Sequence, residues 1–394
     1  MTPNQDLISH IQQLLQSRQI GGWLFYGFRD IDPTVYQVLR FPPNPHITRR
    51  FFYLIPAQGE PRKLVHRIEP RKLDHLPGSK REYSRWSELE HQLGDLLKGI
   101  SQVAMQYSPR NSNPYVSKVD GGTLEAVRGQ GLEIVSSGDI LQLFEAVWTE
   151  QQIHQHRSTA KGLGEIVLAA FEFAARQIVD QGFSDELSVQ SFILDQFSDR
   201  GWITDNPPIV GVNAHAGDPH YSPNAETNTR LGREDLLLID LWAKTDELGS
   251  VFADITWTAY YGSSPSSHLL EVADTVMKAR DRGVEFLQER LRAGRKVMGF
   301  EVDDAVRRVI EDAGYGDYFV HRTGHNLGEE VHGNGVHFDN LETHDTREVI
   351  PGIASTIEPG IYLPEFGIRS EINLYFPGGD VEVTTPIQTE LLLF

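Results

Sequence analysis

The spacing of apolar and polar residues divides the chain into two regions near residue 150. In the first region, apolar residues recur at helical spacing over Leu7–Ser17. Short apolar runs predict strands at Gly22–Tyr26, Phe51–Ile55, Lys63–Val65 and Val103–Met105, and a turn-rich segment follows at Pro56–Pro61. Short strands mixed with helices in this way are typical of a small α/β domain.

The region after residue 150 contains longer periodic segments. Over Glu150–Asp180, Ile166, Ala170 and Phe173 keep the spacing of three to four residues that predicts one long helix. Further helices are predicted at Phe183–Phe197, Ser267–Ala293 and Val302–Ala313, and strands at Leu236–Trp242, Val251–Thr258, Ala354–Glu358, Gly367–Phe376 and Asp380–Thr385. We therefore predict an α/β domain over residues 1–149 and an α+β domain over residues 150–394.

Composition narrows the classes of partner and of site. Lys plus Arg is 36 and Asp plus Glu is 55, so the formal net charge is −19. Because such a surface repels phosphate backbones and anionic lipids, we expect neither nucleic acid nor a membrane as partner. The chain has no cysteine, so a metal site must use oxygen and imidazole ligands. No apolar stretch approaches the roughly 18 residues of a spanning helix, and cytoplasm is the expected location.

Two predicted strands carry a carboxylate within an apolar run. Asp240 lies in Leu236–Trp242 and Asp254 in Val251–Thr258, with a turn between them. We expect a hairpin in which the two carboxylates face each other across the ladder. Because burying an unpaired charge is costly, each aspartate must be protonated, paired or bound to metal. Hydrogen bonding of each carboxylate to nearby backbone is the alternative.

The last part of the chain repeats this feature. Glu358 stands at the end of a predicted strand, and Glu371 in the middle of the next. Arg369 is two residues from Glu371, so both are expected on one face of that strand. An arginine at this position would orient a ligating carboxylate, and a simple salt bridge is the alternative.

Histidines are concentrated between these carboxylates. The segment His321–His332 contains three, and Gly324 and Gly328 would let the backbone turn tightly around His325. His220 lies on a predicted loop upstream. Neutral imidazole is a common metal ligand, and a second imidazole can donate to a developing oxyanion. Surface positions are the alternative for the remaining histidines, His215, His321 and His337.

Together, four strand carboxylates and one histidine flanked by glycine make an oxygen-rich ligand set. Its members are Asp240, Asp254, His325, Glu358 and Glu371. Such a set suits two hard or borderline divalent ions better than one structural zinc. Manganese is the expected metal, and zinc or cobalt is the alternative.

The order of these residues resembles the pita-bread metallopeptidases of the aminopeptidase P, prolidase and creatinase family. The matching segments are Leu237–Asp240, Asp254–Thr256, His321–Gly328, Val331–His332, Ile357–Tyr362 and Gly367–Glu371. They run through the C-terminal half, whereas the N-terminal half is similar mainly in size and in the strand at Gly22–Tyr26. The resemblance implies a pita-bread catalytic domain preceded by a creatinase-type N-terminal domain.

The resemblance also implies roles for individual residues. Asp240 and Glu358 would each contact metal, Asp254 and Glu371 would bridge two ions, and His325 would complete one shell. His220 and His332 would contact the substrate and its tetrahedral intermediate. A homodimer is implied as well, with the N-terminal domain of one subunit near the active site of the other.

Three positions depart from the family pattern. Asp240 and Asp254 are a few residues further apart than usual, so the hairpin turn should be longer. Gly333 follows His332 where the family often has glutamate. His344 stands where the prolidase branch often carries an arginine for the substrate carboxylate, so His344 or the nearby Arg347 is the expected carboxylate-binding residue.

The activity that follows is metal-assisted hydrolysis of the peptide bond before proline. Glu358 would pass a proton to the leaving nitrogen, and His332 and His220 would stabilise the oxyanion. We expect an Xaa-Pro dipeptidase, with an Xaa-Pro aminopeptidase acting on longer peptides as the close alternative. A creatinase-like hydrolase without metals, a lyase or other small-molecule enzyme on the same metal site, and a non-catalytic binding module stay open.

Overall fold

The computed structural model describes residues 3–394, which form two compact units. One unit ends at Glu145, and the other spans Ala146–Phe394. Within residues 3–394, no helix combines the length and the apolar character needed to cross a membrane.

The first unit is a six-stranded mixed sheet with helices on both faces. Its strands follow the order β4-β3-β2-β1-β5-β6. Alternation along β1 explains the two layers, because Trp23 and Phe25 enter one apolar core while Leu24 and Tyr26 enter the other. The elements are α1 (Pro3–Ser17), β1 (Gly22–Gly27), α2 (Pro33–Val38), β2 (Phe51–Pro56), β3 (Arg62–His66), β4 (Ser79–Tyr83), α3 (Trp86–Leu97), β5 (Gln102–Met105), α4 (Gly121–Arg128), β6 (Glu133–Ser136) and α5 (Gly138–Glu145).

The second unit combines long helices with two principal sheets. One sheet has the order β19-β12-β11-β8, with β9 also paired to β11, and the other has the order β13-β14-β17-β18. The elements are α6 (Glu150–Gln181), β7 (Ser184–Asp185), α7 (Glu186–Asp199), β8 (Trp202–Ile203), β9 (Ile209–Val212), β10 (Arg230–Leu231), β11 (Leu236–Thr245), β12 (Ala253–Tyr260), α8 (Ser267–Arg292), α9 (Gly299–Asp312), β13 (Asn326–Leu327), β14 (Ala354–Ile357), β15 (Gly360–Tyr362), β16 (Gly367–Arg369), β17 (Ile372–Tyr375), β18 (Glu382–Val383) and β19 (Leu392–Leu393).

The predicted hairpin of the second unit is confirmed, and its two faces differ. Along β11, Leu237, Ile239 and Leu241 enter the apolar core that α6 and α7 complete. Side chains of successive strand residues point to opposite faces, so Asp240 and Trp242 lie on the other face. The core therefore fixes which residues of β11 face the polar side of the sheet.

The single strand predicted over Gly367–Phe376 is wrong. The chain pairs with β15 only as far as Arg369 and pairs with β14 only from Ile372. Between these two ladders, the amide of Glu371 donates to the carbonyl of Thr256 on β12, at 3.1 Å. The interruption carries Glu371 from one sheet to the other and places it beside the hairpin.

Candidate metal centre

The hairpin register places the two strand aspartates diagonally. Asp240 pairs with Thr256, and Asp254 pairs with Trp242. Residues that pair directly share a face, so all four side chains point to the same side of the sheet. Asp240 and Asp254 are thus on one face as predicted, but they are offset by two positions along the ladder and do not lie opposite each other.

Glu371 reaches the same face through Thr256. The hydroxyl of Thr256 donates to Oε2 of Glu371, at 2.8 Å, and accepts from Nε of Arg369, at 3.0 Å. Arg369 itself forms an ion pair with Asp240. The salt bridge between Arg369 and Glu371, which was the alternative, is therefore not formed, and Thr256 links the two side chains instead.

The segment that carries His325 is held tightly against β14. A Cβ atom on Gly324 would lie 2.1 Å from the carbonyl oxygen of Thr356, so only glycine permits this approach. The amide of His325 then donates to the Thr356 hydroxyl, at 2.9 Å. Gly328 has no such close neighbour, since a Cβ there would meet its nearest atoms at 3.8 Å. Of the two glycines singled out in the sequence, Gly324 is the one that this packing requires.

The His325 ring presents one nitrogen to the carboxylates. Nδ1 lies 3.2 Å from the carbonyl oxygen of Asn326 and donates to it, which leaves Nε2 as the acceptor. Nε2 is 3.4 Å from Oε1 of Glu358 and 3.8 Å from Oδ2 of Asp254. A lone pair facing carboxylate oxygens is repulsive unless a cation lies between them.

Three carboxylates at this point have an oxygen without a partner. Among the described residues, Oδ1 of Asp240, Oδ1 of Asp254 and Oε1 of Glu371 are buried and accept no hydrogen bond. Ligand atoms of Asp254, His325 and Glu371 all lie within 4.8 Å of one another. Buried carboxylate oxygens left open beside an imidazole lone pair are the donor set of a divalent metal site, so these residues fit such an ion.

The pKa shifts of these residues are those expected for a donor set that lacks its cation. Burial, and then repulsion from neighbouring carboxylates, raise the pKa of Asp254 and of Glu371 well above their usual ranges. Burial raises the pKa of Glu358 to about 7. Burial also holds the pKa of His325 well below its usual value. Bringing this many acidic groups together is unfavourable without a compensating positive charge.

Asp240 is connected through Arg369 to a chain of hydrogen-bonded side chains. Arg369 donates to the Tyr362 hydroxyl through Nη1, at 2.9 Å, and that hydroxyl donates to Nε2 of His321, at 2.6 Å. His321, for which a surface position was the alternative, is therefore hydrogen-bonded to the residues that support Asp240. Nothing in its sequence context distinguished it, because its partner Tyr362 lies far along the chain.

His332 lies beside the cluster, and His220 lies on an exposed loop. The His332 ring packs edge-on against His325, with centroids 4.3 Å apart, and the residue stays exposed to solvent. Desolvation against the cluster and the charge of Arg322 lower the pKa of His332 to about 4, with a smaller contribution from His220. His220 is exposed, and its amide donates to Oδ1 of Asp218, at 3.0 Å.

The loop that carries His220 is anchored by Glu186. This fully buried carboxylate accepts from the amides of Val212 and Thr229 and from the Tyr221 hydroxyl, at 2.7–2.9 Å. It also accepts from Nδ1 of His215, at 2.8 Å, so His215 is not a free surface residue. A glutamate at the first position of a helix is common, so nothing in its local sequence distinguished Glu186.

The opposite side of this loop packs against β16. A Cβ on Gly367 would lie 1.8 Å from the carbonyl oxygen of Ala216, so glycine allows the two segments to touch. Arg369, the last residue of β16, reaches Asp240. The His220 loop is therefore fixed between Glu186 and the strand that supports the candidate metal centre.

The two residues expected to bind a substrate carboxylate have other contacts. Arg347 is buried and forms an ion pair with Asp345, at 2.6 Å, and its Nη1 donates to the carbonyl of Asn334. These contacts engage the guanidinium of Arg347 within the protein, and its role at the substrate carboxylate stays a prediction. His344 is exposed, and its Nδ1 lies 2.8 Å from Oδ1 of Asn340. The described contacts of both residues lie outside the carboxylate cluster.

The part of the chain that matches a known family includes the residues of this site. The sequence profile of the metallopeptidase family M24 matches residues 159–376, which is more than half of the chain. A curated Xaa-Pro dipeptidase from Pyrococcus furiosus is 34% identical over 185 residues, or 47% of this chain and 48% of that protein. The first curated relatives are thus matched over about half of their own length or less.

Solved structures are similar over nearly the whole chain. Dipeptidase PepE from Mycobacterium ulcerans superposes with a TM-score of 0.65 at 20% identity, covering 99% of this chain and 97% of that one. An X-prolyl aminopeptidase from Caenorhabditis elegans, described as a cytosolic enzyme with a di-nuclear active site, gives 0.62 at 16% identity, covering 98% and 62%. At these identities the likeness concerns the fold alone, and it confirms the predicted pita-bread architecture with a preceding α/β domain.

Proposed function

We propose that this chain, which belongs to metallopeptidase family M24, is a metal-dependent Xaa-Pro dipeptidase. The observation that carries the proposal is the group of three buried carboxylates, Asp240, Asp254 and Glu371, each with an unpartnered oxygen beside Nε2 of His325. The relative from Pyrococcus furiosus, named an Xaa-Pro dipeptidase, supports the choice of substrate.

Five residues would hold two divalent ions in this proposal. They are Asp240, Asp254, His325, Glu358 and Glu371. When bound, the ions supply Lewis-acid activation of the scissile carbonyl and of water. The di-nuclear active site of the Caenorhabditis elegans enzyme supports the number of ions. Manganese is the proposed metal, because four of the five ligands are carboxylates.

The chain's own groups would then handle the proton and the developing charge. Asp240, Asp254 and Glu358 are the carboxylates that lie beside His325 or Arg369, and the side chain of Glu358 is the most exposed of the three. We therefore assign to Glu358 the transfer of a proton to the leaving nitrogen. We assign to His332, which packs on His325 and is open to solvent, the donation of a hydrogen bond to the oxyanion. We assign to His220, which is also exposed, a contact with the substrate.

An Xaa-Pro aminopeptidase acting on longer peptides is the second candidate. The contacts of Arg347 favour it, because this guanidinium is committed to Asp345 and a strict dipeptidase must bind a free carboxylate. Dipeptides and their C-terminally amidated forms separate the two candidates.

The test is a panel of Xaa-Pro dipeptides, amidated dipeptides and Xaa-Pro tripeptides, assayed with manganese-loaded and metal-stripped protein. A dipeptidase should cleave the free dipeptide fastest and lose this preference on amidation. Equal or faster cleavage of tripeptides would reverse the choice in favour of the aminopeptidase. Failure of the loaded protein to cleave any of these peptides would contradict the proposed function.

We also propose a homodimer and a cytosolic location, in line with the family resemblance and with the description of the Caenorhabditis elegans enzyme. Light scattering at micromolar concentration tests the assembly. A mass of 44.5 kDa alone, the mass of one chain, would contradict the dimer.

A further inference from the structure

The polar face of the hairpin continues beyond the metal cluster with an aromatic residue. Trp242 pairs directly with Asp254, so its indole lies on the face that carries Asp240 and Asp254. The side chain is only partly buried, and it packs on the apolar cluster around Phe252 and Leu327. Trp242 therefore forms a wall next to the candidate metal centre.

The side chain of Trp242 is hydrogen-bonded to the carboxylate of Asp205. The indole Nε1 of Trp242 donates to Oδ1 of Asp205, at 2.5 Å. Asp205 lies on the short connection between β8 and β9, and both strands pair with β11 on either side of Trp242. The hydroxyl of Thr204 closes this connection by donating to the carbonyl of Asn206, at 2.8 Å. Asp205 is exposed, so its charge faces solvent at the edge of the site.

Asp205 lies at the face of the hairpin that carries Asp240 and Asp254, because its partner Trp242 pairs directly with Asp254. The nearest cation on β11, Lys244, is engaged elsewhere: it donates to the carbonyl of Glu329, at 2.6 Å, and stacks on the Phe252 ring. Among the described residues Asp205 forms no salt bridge, and its carboxylate lies beside the indole of Trp242.

We propose that Trp242 and Asp205 form the subsite for the first residue of the substrate, and that this subsite prefers a cationic side chain, lysine or arginine. The inference rests on the proposed function and refines its substrate class. An indole next to a carboxylate suits a substituted ammonium or guanidinium group, which gains from both the aromatic ring and the opposite charge. The strongly negative net charge would draw such peptides to the protein.

The expected preference is moderate because Asp205 is exposed. An exposed ion pair and a cation over an aromatic ring together correspond to a selectivity of about tenfold. Lys-Pro should therefore have a kcat/KM about ten times that of norleucine-Pro, which has a neutral side chain of nearly the same length. Glu-Pro should be the poorest of the three.

The decisive variant is Asp205→Asn, which keeps the shape of the side chain and an acceptor for the indole. It should reduce kcat/KM for Lys-Pro about fivefold and leave norleucine-Pro unchanged. Asp246→Asn is the matched control, because Asp246 is an exposed aspartate on the turn that follows Trp242 and has the same charge. The control should leave the ratio of the two substrates unchanged. Metal content, measured for all three proteins, should be equal.

Several results would overturn the subsite. Hydrolysis of both dipeptides with no preference for Lys-Pro would leave the proposed function intact and remove the subsite. An equal loss on both substrates in Asp205→Asn would assign Asp205 to the α-ammonium group that both share. Absence of hydrolysis of either dipeptide by the metal-loaded wild type would contradict the proposed function, and the subsite with it.

Discussion

Two buried carboxylate environments in the second unit differ in how their oxygens are satisfied. Glu186 accepts four hydrogen bonds from Val212, His215, Tyr221 and Thr229. By contrast, Asp240, Asp254 and Glu371 each keep an oxygen without a partner among the described residues. Burial, and then repulsion from neighbouring carboxylates that include Asp240, also raise the pKa of Asp254 and of Glu371.

The difference separates a structural carboxylate from one prepared for a ligand. A buried charge with all its hydrogen bonds made stabilises the fold around it, whereas a group of unsatisfied like charges destabilises the fold until a cation arrives. Glu186 therefore belongs to the scaffold of the His220 loop. The unsatisfied group is where we expect binding energy to be available for metal.

The largest effect is expected for Glu371→Gln, which removes one open oxygen and one charge. Hydrolysis should fall by about 10³ or more, since metal activation contributes several kcal/mol to the barrier. The metal-stripped variant should unfold at a higher temperature than the metal-stripped wild type, because one repelling charge is gone. Kinetic assays and calorimetry measure the two effects. Glu365→Gln, at the exposed turn between β15 and β16, is the control. If stripped Glu371→Gln unfolded at a lower temperature, Glu371 would be structural, like Glu186.

His332→Ala tests a residue at the edge of the unsatisfied group. We expect kcat to fall by about 10²–10³, the usual loss for one oxyanion donor. Metal content should stay at the wild-type level, because His332 contacts His325 without belonging to the ligand set. Steady-state kinetics and elemental analysis provide the measurements, with His268→Ala on α8 as an exposed control. An unchanged rate would leave His332 with a packing role only.

A buried histidine whose ring nitrogens both have partners is a further structural group, and the pH dependence of stability tests its role. His156 on α6 is fully buried, with Nδ1 3.0 Å from the carbonyl of Phe252 and Nε2 2.7 Å from the Thr384 hydroxyl. Burial lowers the pKa of His156 to about 4 from a usual 6.5, while Arg157 lowers it and Glu382 raises it by smaller amounts.

Between pH 6.5 and 4 the unfolded chain binds a proton at this histidine that the folded chain does not. The free energy of unfolding should therefore decrease as pH falls, by about 3 kcal/mol over this range. His156→Gln should abolish this part of the pH dependence in denaturant titrations. His154→Gln, exposed on the same helix, should not. Identical pH profiles for wild type and His156→Gln would contradict the assignment.

The smallest effect is expected for Glu186→Gln. An amide cannot accept from four donors as the carboxylate does, so the free energy of unfolding should decrease by about 2 kcal/mol. Metal stoichiometry should be unchanged, whereas Glu371→Gln, which loses a proposed ligand oxygen, should bind less metal. Urea titration and metal analysis separate the two variants, with Glu172→Gln on the exposed face of α6 as control. Loss of metal in Glu186→Gln would remove the distinction between the two environments.

Much of the site could be predicted because its residues stand out locally. A carboxylate within an apolar strand marks Asp240 and Asp254, and the two-residue period of the strand already places Trp242 on the face of Asp240. The offset between the aspartates could not be predicted, because the register depends on the geometry of the turn.

Features that depend on residues far apart in the chain could not be predicted from the sequence. The strand break at Glu371 arises because its amide bonds to Thr256 on another strand. Arg347 has the right charge and spacing for a carboxylate-binding residue, but the burial of its ion pair with Asp345 is visible only in the folded chain. Glu186 likewise gains its importance from partners that folding brings together.

The most direct test of the account is a calorimetric titration of metal-stripped protein with manganese. The wild type should bind two ions per chain, and Asp254→Asn should bind fewer and more weakly, because the proposed bridging carboxylate is lost. Glu186→Gln should bind as the wild type does. Absence of manganese, zinc and cobalt binding by the wild type, or unchanged binding by Asp254→Asn, would contradict the assignment of the unsatisfied carboxylates to a metal site.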